Sequence, residues 1–119
     1  MPTAWTEELV AAALDSNDRY GRVVALSRDP RGIQQDREAL VLDLESLLRE
    51  RPDLVHAWQL YSWDKRWSPS PYWEAEKLEV GLYDSGYREV ETRSDTADAC
   101  AAFIAREVTW LRERNAEID

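Results

Sequence analysis

The stretch VHAWQLYSWDKRWSPSPYW, residues 55–73, decides how this chain is read. Within it, residues 58–73 hold four of the six tryptophans (Trp58, Trp63, Trp67, Trp73) and two of the five tyrosines (Tyr61, Tyr72). Aromatic side chains suit a pleated, half-buried surface, so VHAWQLYSW (residues 55–63) reads as a strand that starts once Pro52 has stopped the preceding helix. Asp64, Lys65 and Arg66 then interrupt the aromatic run. Pro69 and Pro71 fix extended backbone, so SPSPYW (residues 68–73) reads as a stiff loop that presents Tyr72 and Trp73 at little entropic cost. On this reading the stretch is a strand followed by a rigid aromatic surface.

Working outward, KLEVGLY (residues 77–83) alternates, with Leu78, Val80 and Leu82 on one face. DSG (residues 84–86) supplies turn residues, and YREVETR (residues 87–93) returns as the partner strand. Helices flank the strands. TAWTEELVAAALDSN (residues 3–17) starts with a Thr3 or Thr6 cap and repeats Trp5, Leu9, Ala12 and Ala13 at helical spacing. DRYGRVVALSRD (residues 18–29) suggests a second short helix weakened by Gly21, and DPRG (residues 29–32) a turn. IQQDREALVLDLESLLRERPD (residues 33–53) carries the stripe Ile33, Arg37, Leu40, Leu44, Leu47 and Leu48. The final segment, residues 94–114, is a helix capped by Asp95 or Thr96, with Ala97, Cys100, Ala101, Ile104, Val108 and Leu111 on one face. The expected architecture is α+β in a single domain, residues 1–119: N-terminal helices, a three-stranded antiparallel meander and a C-terminal helix, with the helices on one sheet face. The uncovered face, with Tyr83 and Tyr87, then invites a partner, most simply a second copy in a homodimer.

Composition narrows the function. The 119 residues carry 24 acidic and 15 basic side chains, a net charge of −9. The excess is spread along the chain, which repels phosphate backbones and argues against nucleic acid while suiting a cationic peptide or protein. One cysteine and one histidine leave no disulfide within the chain and no usual zinc cluster. The start, MPTAWTEELV, has no basic-then-apolar signal, and no run approaches the ~20 apolar residues of a membrane span, so the expected location is the cytoplasm, without a membrane.

Catalytic signatures are few. The four glycines are scattered, and the chain has no G-x-S-x-G, H-E-x-x-H or C-x-x-C pattern. His56 is the one side chain whose ordinary pKa lies near neutrality, so it is the default proton shuttle, weighed against a plain surface histidine. Glu74, Glu76 and Glu79 with Glu89 and Glu91 are candidate paired acids if adjacent strands bring them together, weighed against an ordinary solvated strand face. In WDKRW (residues 63–67), Lys65 and Arg66 between two indoles suit a carboxylate ligand, or else the indoles simply pin the loop to the core.

This aromatic stretch, with the chain's length, acidity and order of elements, resembles the small lysinoalanine-forming proteins of cinnamycin and duramycin biosynthesis. The resemblance implies an activity late in lanthipeptide maturation. A lysine amine adds to a dehydroalanine of the same peptide in an aza-Michael reaction, without cofactor or metal. The substrate's own hydroxy-aspartate assists as base, so the protein chiefly positions a modified lanthipeptide. Residue type, rather than the resemblance, nominates His56 and Arg66 as catalytic, with Tyr61, Trp63, Trp67, Tyr72 and Trp73 holding the substrate. The competing expectation is an acidic immunity protein or antitoxin that masks a basic toxin.

Overall fold

The computed structural model describes residues 3–33, 36–64 and 70–118. Among these residues, six α-helices and three strands follow in the order α1 (Ala4–Ala12), α2 (Arg19–Ser27), α3 (Pro30–Ile33), α4 (Arg37–Leu48), α5 (Pro52–Asp64), β1 (Ser70–Glu74), β2 (Glu79–Tyr83), β3 (Tyr87–Thr92) and α6 (Thr96–Ile118). The strands form one antiparallel sheet in the order β1-β2-β3. The α+β architecture, with helices before and after a three-stranded meander, is therefore as the sequence implies.

The first strand is elsewhere, however. Residues 55–63 lie inside α5, and the strand is Ser70–Glu74, the segment expected to be a loop. The physical reason is visible in the spacing. Leu54, Ala57, Trp58 and Tyr61 recur at i, i+3, i+4 and i+7, and all four are buried. Pro52 starts this helix at its first position, where its missing N–H costs no bond, and Asp53 faces the positive end of the dipole. Ring density suits a strand, but this buried helical period prevails over it. Pro71, in turn, is tolerated within β1 because β1 is an edge strand.

The other boundaries follow local chemistry. Thr3 caps α1 in a reciprocal box with Thr6, and Asp95 accepts from the Asp98 N–H at the start of α6. The DPRG turn is the single helical turn α3, and α4 starts only at Arg37, capped by Asp36.

Helix α6 is the spine. Residues 99–105 are buried on every side, as expected of a helix enclosed by other elements. It packs on α4 and α2 to one side and on β1 and β2 to the other. Small residues, Ala99, Cys100, Ala101, Ala102 and Ala105, let those elements approach closely, and Phe103 fills the centre. Trp73 stacks on Phe103 with ring centroids 6.0 Å apart, and Trp58 and Tyr61 meet it edge-on. Each buried aromatic contributes about 1.5–3 kcal/mol through lost water contact. Two of the buried indoles find acceptors in the helical layer: Trp58 donates to the Val10 carbonyl and Trp5 to that of Leu26, each at 3.0 Å.

The hairpin β2–β3 turns through Asp84, Ser85 and Gly86, with the Asp84 N–H donating to the Gly86 carbonyl at 2.9 Å. A register shift between Val80 and Leu82 marks a bulge in β3, where Glu89 has φ 51°. The bulge lets Glu89 and Glu91 reach the Arg106 guanidinium at 3.7 and 3.6 Å, so these two acids clamp the sheet to α6. Among the described residues no helix is long and apolar enough to cross a membrane.

Candidate functional site

Two adjoining depressions lie where the end of α5 meets the outer face of the sheet. The first, about 270 Å³, is bounded by Ser62 and Trp63 of α5, Tyr72 and Glu74 of β1, and Tyr83 and Tyr87 of the hairpin. The second, about 340 Å³, lies between Gln59, Trp63 and the residues that follow β1, Ala75, Glu76 and Lys77. Trp63, Trp73 and Glu74 border both. A larger depression of about 600 Å³ runs between α1 and α2, but its walls are mainly alanine and leucine, and its Asp15 and Arg22 neutralise each other at 2.6 Å.

The strand period builds this site. Trp73 points inward onto Phe103, so its neighbours Tyr72 and Glu74 occupy the outer face. The antiparallel register sets Tyr72 opposite Gly81 and Glu74 opposite Glu79. A β-carbon at Gly81 would lie 2.9 Å from the Tyr72 ring and 2.8 Å from the Arg88 carbonyl, so glycine is what lets the ring lie across β2. The three tyrosines form an edge-to-face ladder, with Tyr72–Tyr87 and Tyr83–Tyr87 centroids 5.1 and 5.2 Å apart. Tyr87 and Trp63 are the most open rings here, at 62% and 67% exposure.

The electrostatics are acidic. Two carboxylates directly across a sheet repel each other, and the structure answers that repulsion on both sides. Tyr72 donates its hydroxyl to Glu79 Oε2 at 2.8 Å, and Lys77 Nζ lies 3.3 Å from Glu74 Oε2. Burial, reinforced by the Glu79 charge, pushes the Tyr72 hydroxyl well above its ordinary pKa, so it is a donor and not a base. The Glu74 contact holds the Lys77 ammonium more firmly protonated than usual.

Of the residues nominated from sequence, Trp63 and Tyr72 wall the first depression, and Trp73 forms its floor while belonging to the core. Tyr61 is fully inside, donating to the buried Glu107 carboxylate at 2.5 Å. His56 is exposed on α5 seven positions before Trp63, about 10 Å along the helix axis, and borders neither depression. Lys65, Arg66 and Trp67 lie outside the described residues. The structure therefore does not bring His56 to the aromatic face. Of the acids, Glu74 and Glu79 do meet across adjacent strands, while Glu89 and Glu91 serve Arg106. Tyr83 and Tyr87, expected on the uncovered face though not as substrate contacts, line the first depression, and Lys77, which no motif singles out, lines the second. The signal for them was the hairpin register, which becomes readable once β1 is placed at residues 70–74.

Among the described residues no group of three or more His, Cys, Asp or Glu side chains is arranged to hold a metal ion. Fold and site together define a small α+β domain with an aromatic, acidic groove on its outer sheet face. No protein-family model matches the chain, and no curated protein or solved structure does.

Proposed function

We propose that this protein binds a cationic segment of a peptide or protein in the groove between Trp63 and the tyrosine ladder. The observation that carries this reading is the cross-strand pair Glu74–Glu79 set beside exposed aromatic rings. Carboxylates draw a lysine or arginine side chain, and ring faces attract the same cation through their quadrupoles. The walls stand on a helix end and paired strands, so little order has to be created on binding.

Two biological settings use such a groove. In the first, the protein masks a basic toxin as an immunity protein or antitoxin in the cytoplasm. In the second, implied by the resemblance, it seats a modified lanthipeptide while a lysine amine adds to dehydroalanine. The carboxylate pair favours the first. An ammonium beside carboxylates is stabilised in its charged form, whereas the addition needs the neutral amine. Association into a homodimer is part of the proposal as a competing use of the uncovered sheet face, since a second copy seated there excludes the cationic segment from the groove.

The test is a titration with N-acetylated, C-amidated hexalysine, read by calorimetry at low salt. Binding is expected, and Glu74→Gln combined with Tyr87→Ala should weaken it about tenfold. Absent binding, or binding indifferent to that double variant, refutes the cation-seat reading. Incubation with a dehydroalanine-containing lanthipeptide separates the two settings. Loss of both the thiol-reactive alkene and the lysine amine selects bridge formation, and their persistence selects masking.

A further inference from the structure

The groove already holds a cation, and it comes from this chain. Lys77 ends the short 3-10 turn Ala75–Lys77 that joins β1 to β2. The turn closes with Leu78 in the left-handed region, φ 54°, and its N–H donates to the Ala75 carbonyl. Across this tight return the Lys77 ammonium lies 3.3 Å from the Glu74 carboxylate. The side chain lines the second depression together with Trp63 and Glu74.

Lys77 is 70% exposed. An open ion pair of this kind is worth little and exchanges readily. Its carboxylate partner, however, is the one that borders both depressions. Glu79 borders neither depression and accepts the Tyr72 hydroxyl on Oε2, which leaves Glu74 as the principal acceptor for an incoming cation.

We infer that Lys77 is a stand-in for the partner's cation: a lysine-type ammonium of a basic segment takes its place on Glu74 beside Trp63, and Lys77 swings into solvent to admit it. This rests on the reading of the groove as a cation seat. Lys77 then acts as a specificity device. A single cation gains little by replacing another on one carboxylate. A segment with several adjacent lysines gains more, because it meets Glu74 and Glu76 together while the freed Lys77 returns to water. Selection falls on clustered positive charge.

The experiment compares hexalysine affinity across wild type, Lys77→Met, Lys77→Arg and Arg37→Met at about 20 mM salt, where surface charges are weakly screened. Arg37 is exposed, borders neither depression and controls for the change in net charge. Lys77→Met should bind two- to fivefold tighter, the range expected from releasing an exposed pair. Lys77→Arg and Arg37→Met should bind as wild type does. Unchanged or weaker binding by Lys77→Met overturns the stand-in, as does equal tightening by Arg37→Met. If wild-type binding depends on Glu74 and Tyr87 but ignores Lys77→Met, the stand-in alone falls. If neither wild type nor Lys77→Met binds, the cation-seat reading falls with it.

Discussion

At the scale of single residues, Asp98 shows how much one side chain can organise. It sits in the first turn of α6, buried, and accepts from Arg93 at 2.8 and 3.1 Å and from the Ser94 N–H and hydroxyl at 3.0 and 2.9 Å. Burial alone would raise its pKa, but the Arg93 and Ser94 bonds prevail and hold it below the usual value. A depressed carboxyl adds stability above its unfolded pKa of about 4, and that contribution disappears as pH falls through the lower folded value. Asp98→Asn should therefore cost about 1.5–3 kcal/mol near pH 7, as expected for bonds to a charged group. Urea unfolding at pH 7 and at pH 3 should show the gap between variant and wild type narrowing in acid. A gap independent of pH would mean that the ion pair is not what Asp98 contributes. Nothing in the sequence marked Asp98 beyond its place near a helix start, because its partners come from the strand end and the loop that fold back onto it.

At the scale of elements, the lesson of residues 55–73 is that period outranks composition. The spacing of Leu54, Ala57, Trp58 and Tyr61 was legible as a helix, and only the density of rings argued for a strand. The meander was legible because Val80 and Leu82 alternate around a turn of Asp84, Ser85 and Gly86. The groove was not, since its walls depend on which strand lies opposite which, and β1 is Ser70–Glu74 and not residues 55–63. Trp63 and Tyr72 were found from residue type alone, while the pairing of Glu74 with Glu79 required the register. The placement of α5 has a direct test at His56. Alanine is a better helix former than histidine but a poorer strand former, so His56→Ala should raise Tm by roughly 2–3 °C on an exposed helical face. A drop would contradict the helix. The same variant should leave hexalysine binding unchanged, because His56 borders neither depression.

At the scale of the whole molecule, charge sets the rules of association. A chain carrying −9 attracts basic partners and repels its own copies. Raising salt should weaken binding of hexalysine, while any homodimer formed through the outer sheet face should strengthen, because Glu74 and Glu79 of two copies would otherwise confront each other. Sedimentation alongside calorimetry at about 20 and 300 mM salt would register these opposite trends. Parallel trends would place the dimer contact away from the groove. The sheet itself narrows the choice of contact further. Its two edge strands, β1 and β3, carry Pro71, which has no N–H, and a bulge at Glu89 that bends the backbone out of line. Both are devices that discourage another strand from adding on. A domain built this way resists extending its sheet by templating, so a protein rich in tryptophan, with rings open to water, keeps its adhesiveness on faces and away from the route that leads to fibrils.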